Sequence, residues 1–381
     1  MTGKKAINGL TQAEKARTYN RLKRRLGYVE FGLGPAWLLA LLISGLTFDL
    51  RNLVMGLGGG PAVWVLVYFF IAALFFELLT LPLNILSGFL LEKKFGLLNQ
   101  SASAWTWDYV KASLLILVLG GAAVELLYLF LGLAGRWWWV PAGGVFALFF
   151  VLLAQLTPVL ILPLFFKFKP LPETDFSRRL MALCSRAGAP VLGIYEWGLS
   201  ARTRRANAGL VGWGPTRRVV LSDSLLNDFS PSGVEVILAH ELGHYRLGHL
   251  SRLLGLQIAL TFAAFALADQ VYRALGPYFG LHDISDIAGL PLLVLAFIGI
   301  GLAALPLVNM VSRRLERQAD CFALNLTGLT GSFISAMERL AALNLAEVDP
   351  HPVIEFLFHS HPSPAKRIQA AKDYMRGRQG G

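Results

Sequence analysis

Six apolar runs, each about long enough to cross a bilayer as a helix, constrain this chain more than any other feature. They occupy residues 31–48, parts of 61–91, 112–133, parts of 137–166, 253–273 and 287–311. Lipid offers no partner to open backbone N–H and C=O groups, so runs of this length read as α-helices. The 381-residue chain is 55% hydrophobic and only 15% charged, which excludes an ordinary soluble domain. The first run lacks a small-residue cleavage site and reads as a retained span. The expected fold is mainly α and polytopic: six transmembrane helices plus a water-exposed portion split in sequence.

Charge orients the spans. Eight Lys or Arg precede the first, and Lys93 and Lys94 sit in the second connection, whereas the first, third and fifth connections have only Arg51, Arg136 and Arg273 near them. The positive-inside rule then puts both termini in the cytoplasm. The net charge of +11 is thereby accounted for by membrane topology, with no nucleic-acid partner. Arg313 and Arg314 are expected to face anionic headgroups, and Trp137, Trp138 and Trp139 to form an interfacial belt. Glu77 and Glu125 lie inside spans and should face inward, either lining a wet cavity or paired as structural carboxylates.

Five segments follow. They are a basic cytoplasmic arm at 1–27, a four-span region at 28–166, a cytoplasmic region at 167–252, a membrane hairpin at 253–311 and a cytoplasmic C-terminal region at 312–381. In the cytoplasmic parts, helices are expected at 176–187, 312–326, 333–345 and 364–376. A hairpin is expected from 206–213 and 217–221 around Gly214 and Pro215.

The chemistry centres on a helix whose start is marked by Ser230 as N-cap and Pro231 in the first turn. It carries His240, Glu241 and His244. Residues four apart on a helix share a face, so His240 and His244 can hold one ion, and Glu241 beside them can take a proton from a water activated by Zn²⁺. His249, five residues beyond His244, is expected to point about 140° away and not to be a ligand. With two cysteines in the chain, a thiolate-rich site is excluded and the donors must be His and carboxylate. A catalytic zinc needs a third protein ligand. After the motif the chain crosses the membrane twice and returns to the same face at residues 312–320, where Glu316 and Asp320 are again four apart. Glu316 is assigned to the ion and Asp320 to the far ring nitrogen of a ligating histidine.

With these residues in place, the chain resembles the CAAX prenyl endopeptidase family, integral-membrane zinc metalloproteases that include the a-factor-converting enzyme. The similarity is carried by residues 88–96 (GFLLEKKFG), 163–172 (PLFFKFKPLP), 239–249 (AHELGHYRLGH) and 314–320 (RLERQAD), with Ser360-His361-Pro362 and then Arg367 in the tail. It implies one Zn²⁺ per chain on His240, His244 and Glu316, with Glu241 as general base and a small cytoplasmic zincin-like fold. His361 matches a position that helps stabilise the oxyanion, supported by Arg367. Asn207, Ala208 and Gly209 match the edge strand that pairs with a substrate peptide, although relatives carry an aromatic where this chain has Gly209. The chain starts at what would be the second of seven spans in eukaryotic relatives, which fits a bacterial inner-membrane homologue. The implied activity is endopeptidase cleavage of peptides or proteins, lipidated or membrane-embedded, in CAAX-type processing or membrane-protein quality control. The alternative is a non-catalytic scaffold, or pseudoprotease, that binds peptides in the same pocket.

Overall fold

The computed structural model describes residues 11–212 and 214–379; the first ten residues of the expected basic arm and Trp213 of the expected hairpin lie outside them. Six helices among the described residues are long and apolar enough to cross a membrane.

The first helix, α1 (Gln12–Ile43), begins well before its apolar run. Thr11 accepts from the Glu14 N–H while the Glu14 carboxylate accepts from the Thr11 N–H, a capping box that turns the polar arm into helix. The expected span 31–48 is cut short at Ser44, because Gly45 adopts φ +78° and starts a separate short helix, α2 (Leu46–Gly56). Three spans follow: α3 (Pro61–Asn84), α4 (Ala102–Leu133) and α5 (Trp139–Leu156). Both α3 and α5 continue through π-helical turns, at Ile85–Leu90 and Thr157–Ile161, near Pro82 and Pro158.

The water-exposed portion opens with β1 (Phe168–Pro170), α6 (Asp175–Arg186) and β2 (Ile194–Trp197). Then come β3 (Ala208–Val211), β4 (Arg218–Ser222) and α7 (Asp223–Asp228). The sheet order is β1-β2-β4-β3, with β2 and β4 parallel and the other pairs antiparallel. The expected hairpin is β3 and β4, with Ala208 opposite Leu221. Strands β1 and β2 were not expected, since three- and four-residue strands carry too little alternation to stand out.

The motif helix α8 (Pro231–Arg246) is followed by a span, α9 (His249–Leu275), and then by α10 (Leu290–Thr327). The sixth span and the expected helix at 312–326 are one element, about 57 Å long at 1.5 Å per residue. It carries residues from the membrane straight to the site. The chain ends in α11 (Thr330–Leu343), α12 (Pro352–Phe358) and α13 (Pro364–Gln379).

Two expectations about surface residues are overturned. Trp138 is completely buried and donates to Asp269 Oδ1 at 2.7 Å, joining Phe265 and Tyr68 in the bundle core, while Trp137 stays exposed. An indole whose N–H finds a partner tolerates the interior. Arg313 is 8% exposed and does not face headgroups. It donates to the Glu355, Phe356 and His359 carbonyls, closing the C-terminal end of α12. Of the two carboxylates expected to face inward, Glu77 is paired, accepting from Tyr109 and Ser113. Glu125 instead lines a cavity of about 960 Å³ with Arg51, Asn52, Tyr128 and Asp286, and one of its oxygens is buried without a hydrogen bond.

Candidate metal centre

The motif helix is placed by a second hydrophobic core, in which Leu238, Leu242 and Val234 pack with Leu180, Val219, Leu221 and Leu225. Its other side lies against α10. At the crossing, a Cβ on Gly243 would stand 3.2 Å from the Ala319 Cα and 3.3 Å from its carbonyl oxygen, so the glycine inside the histidine pair is what allows the two helices to come this close. That approach brings Glu316 to the histidines.

His240 Nε2 and His244 Nε2 are 3.1 Å apart, and the Glu316 carboxylate oxygens lie 3.3 Å from the first and 3.4 Å from the second. Among the described residues these three side chains form a group able to hold an ion, their ligand-type atoms all within 4.8 Å. A tetrahedral Zn²⁺ with bonds of about 2.0–2.1 Å sets its ligands about 3.3 Å apart. The three side chains thus present two imidazole nitrogens and a carboxylate at close to that spacing, His240 facing one Glu316 oxygen and His244 the other.

The surrounding groups hold opposite ring nitrogens. His240 Nδ1 is 2.8 Å from Asp320 Oδ1, and Arg367 forks onto the same carboxylate, its Nε donating to Oδ2 at 2.8 Å. Burial alone would strip the proton from His240, but its bonds to Asp320 and Glu316 outweigh this and raise its pKa to about 9. Burial and the neighbouring His240 charge instead lower that of His244 to about 4. Glu316 is buried, which opposes ionisation, yet the hydrogen bonds from His240 and His361 hold it well below the ordinary carboxylate range. Asp320 is likewise lowered by His240 and Arg367 against the cost of its burial. Glu241 is raised, chiefly by burial. A carboxylate shifted upward in this way is better matched to accept a proton near neutrality.

The remaining expected residues gather around one cleft. Asn207, Ala208, His240, Glu241, Glu316, His361 and Arg367 line a cavity of about 250 Å³. Gly209 does not line it, and a Cβ there would meet nothing within 4 Å. Strand β3 is at the end of the sheet, so among the described residues its outer edge is not paired to another strand. His361 comes from the turn between α12 and α13, with its Nδ1 2.8 Å from Glu316 Oε2 and its side chain 62% exposed. The turn is held by Glu355, which accepts from the Ser363 N–H at 3.2 Å and from Lys366 at 2.7 Å. A second cavity, of about 510 Å³, shares His361 and Arg367 with the first and runs on past Asn344 to Asn20 and Arg24 of α1.

His249 departs from its expected position. The 140° offset holds only for an unbroken helix, and here Gly248 takes φ +66° and ends the motif helix. The turned chain brings His249 back, 1% exposed, with its Nδ1 3.0 Å from His244 Nδ1. A glycine just past a helix is the sequence signal of such a stop. Gln318 and Arg252, which adjoin His249, carried no signal of their own.

Comparisons with known proteins identify the family. Residues 170–375 match peptidase family M48, and residues 5–167 match the CAAX prenyl protease N-terminal family, described by five membrane helices. The chain is 28% identical over 361 residues to an uncharacterized metalloprotease, YhfN, of Bacillus subtilis, covering 94% of this chain and 84% of that protein. It is 30% identical over 322 residues to CAAX prenyl protease 1 of Saccharomyces cerevisiae, covering 78% of this chain and 69% of the yeast one. In three dimensions it resembles the crystal structure of S. mikatae Ste24p, with a TM-score of 0.84 at 25% identity, over 94% of this chain and 89% of that one.

Proposed function

The chain belongs to peptidase family M48 and is a multi-pass membrane metallopeptidase, and from that premise we propose that it is a zinc endopeptidase cutting peptide bonds at the cytoplasmic face of a bacterial inner membrane. The observation that supports this most directly is the meeting of His240 Nε2, His244 Nε2 and Glu316 at 3.1–3.4 Å beside Glu241. These three would hold the ion. When bound, zinc supplies Lewis acidity toward the scissile carbonyl and the attacking water.

The protein's own groups do the rest. The outer edge of β3, from Asn207 onward, offers backbone partners to an extended substrate, which adds as a further strand across the cleft. Glu241, raised by burial, takes the proton of the attacking water and returns it to the departing amine. His361 leaves Glu316 to donate toward the developing oxyanion, a move its exposure permits. Asp320, clamped by Arg367, keeps the His240 proton on Nδ1 and its lone pair on Nε2. Substrates are peptides or proteins presented at the bilayer, prenylated CAAX-type peptides or damaged membrane proteins.

Purified protein offered a farnesylated peptide and an unfolded membrane protein tests the reading. Glu241→Gln is expected to keep one zinc per chain and to lose about 10²–10⁴-fold in cleavage rate. Cleavage at the wild-type rate by that variant refutes the assigned chemistry.

A further inference from the structure

The two histidines are backed in different ways. Behind His240 stands a carboxylate and its arginine; behind His244 stands another imidazole. His249 Nδ1 is 3.0 Å from His244 Nδ1, its Nε2 is 3.1 Å from Gln318 Oε1, and Arg252 Nη1 lies 3.2 Å from that same oxygen. A guanidinium can only donate, so the Gln318 atom it meets is the carbonyl oxygen. A carbonyl oxygen can only accept, so His249 carries its proton on Nε2. A neutral imidazole protonated there has a bare lone pair on Nδ1, which accepts from His244 Nδ1–H. His244 is thereby left with its lone pair on Nε2, the nitrogen that faces Glu316 and His240.

From this chain of single-direction hydrogen bonds we infer that His249, Gln318 and Arg252 form a neutral relay that selects the ion-binding tautomer of His244. The inference rests on the zinc reading of the same site. His249 is a positioning residue, acting through His244 and touching neither ion nor substrate. Its seat depends on the break at Gly248, since an unbroken helix would carry it to another face. Gln318 and Arg252 come from α10 and α9, so the relay also ties the two spans that flank the motif helix to one ligand. Partners of this kind, which orient a ligating histidine, typically contribute about 10–100-fold to metal affinity.

The test uses the full-length protein in detergent, with zinc affinity measured by chelator competition and the His244 tautomer by ¹⁵N-histidine NMR of the zinc-free form. Gln318 is exposed, so its substitution leaves folding intact. In Gln318→Met the acceptor is gone, and affinity should fall about tenfold. In Gln318→Lys an obligate donor meets His249 Nε2 and reverses every bond in the relay. His244 should then carry its proton on Nε2, and affinity should fall further, toward 100-fold. His249→Phe should resemble Gln318→Met.

Affinity within twofold of wild type in all three variants overturns the relay, as does a fall in affinity with the His244 tautomer unchanged, because charge or packing would then be the cause. A changed tautomer with unchanged affinity also overturns it. Wild-type protein that binds no zinc refutes the zinc reading itself, a result separate from failure of the relay.

Discussion

The two ends of the helix bundle treat buried charge in opposite ways. At the end that carries the site, Glu316, Asp320, His240 and Arg367 are all enclosed and each stands against a group of opposite charge, Glu316 Oε2 facing His240 and His361 without a well-aligned hydrogen bond. At the other end Glu125 faces a cavity of about 960 Å³ with one oxygen unpaired, near the Arg51–Asp286 pair. Enclosed charges are tolerated only when geometry compensates for lost hydration. The site end therefore has fixed atoms to offer an ion, while the far end keeps a carboxylate with one oxygen uncompensated.

The braces differ as well. Near the site, Tyr19 and Lys23 of α1 and Arg205, two residues before Asn207, all converge on Glu92, with donor–acceptor distances of 2.6, 3.0 and 3.1 Å. The polar arm, the end of the second span and the start of the edge strand are held by one carboxylate.

Removing charge should thus matter greatly at one end and little at the other. Asp320→Asn leaves His240 without its carboxylate and should weaken zinc binding about 10–100-fold in chelator competition; affinity within twofold of wild type would erase the contrast. An effect of comparable size follows from pH. Zinc needs neutral imidazole, and metal-free His240 holds its proton up to about pH 9, while His244 is already neutral and Glu316 already ionised. Raising pH from 7 to 9 should therefore tighten binding about tenfold per unit, levelling above pH 9. Calorimetry in buffers of different ionisation enthalpy should find about one proton released per zinc at pH 7. Affinity that is flat across this range would show that Asp320 and Glu316 do not hold the proton on His240. The least effect belongs to Glu125→Gln, which should leave zinc affinity and cleavage within about twofold, since the cavity it lines shares no residue with the cleft at the site. A large loss of cleavage there would mean that the far cavity takes part in the reaction.

Much of this was legible in one dimension, and the reason is local geometry. Span positions follow from runs of apolar residues, because lipid leaves the backbone no partner but itself. The pairing of His240 with His244 follows from the helical repeat, and Glu316 followed from counting membrane crossings. Those inferences need only the residue's own element. The misjudged residues share another property: each is decided by what stands opposite. Trp138 looked interfacial until Asp269 met its N–H, and Arg313 looked lipid-facing until the carbonyls ending α12 met its guanidinium. Strands β1 and β2 exist through pairing across the sheet and have little pattern of their own.

The histidines show where the division falls. That His240 and His244 share a face was determined by the sequence, since four residues of helix allow no other arrangement. Which ring nitrogen each turns inward was decided only by the tertiary structure, because the deciding atoms, Asp320 and the His249–Gln318–Arg252 series, arrive from other helices and from beyond a glycine break. A tautomer is chosen by the hydrogen bond at the far nitrogen, and that bond forms only when distant segments pack together.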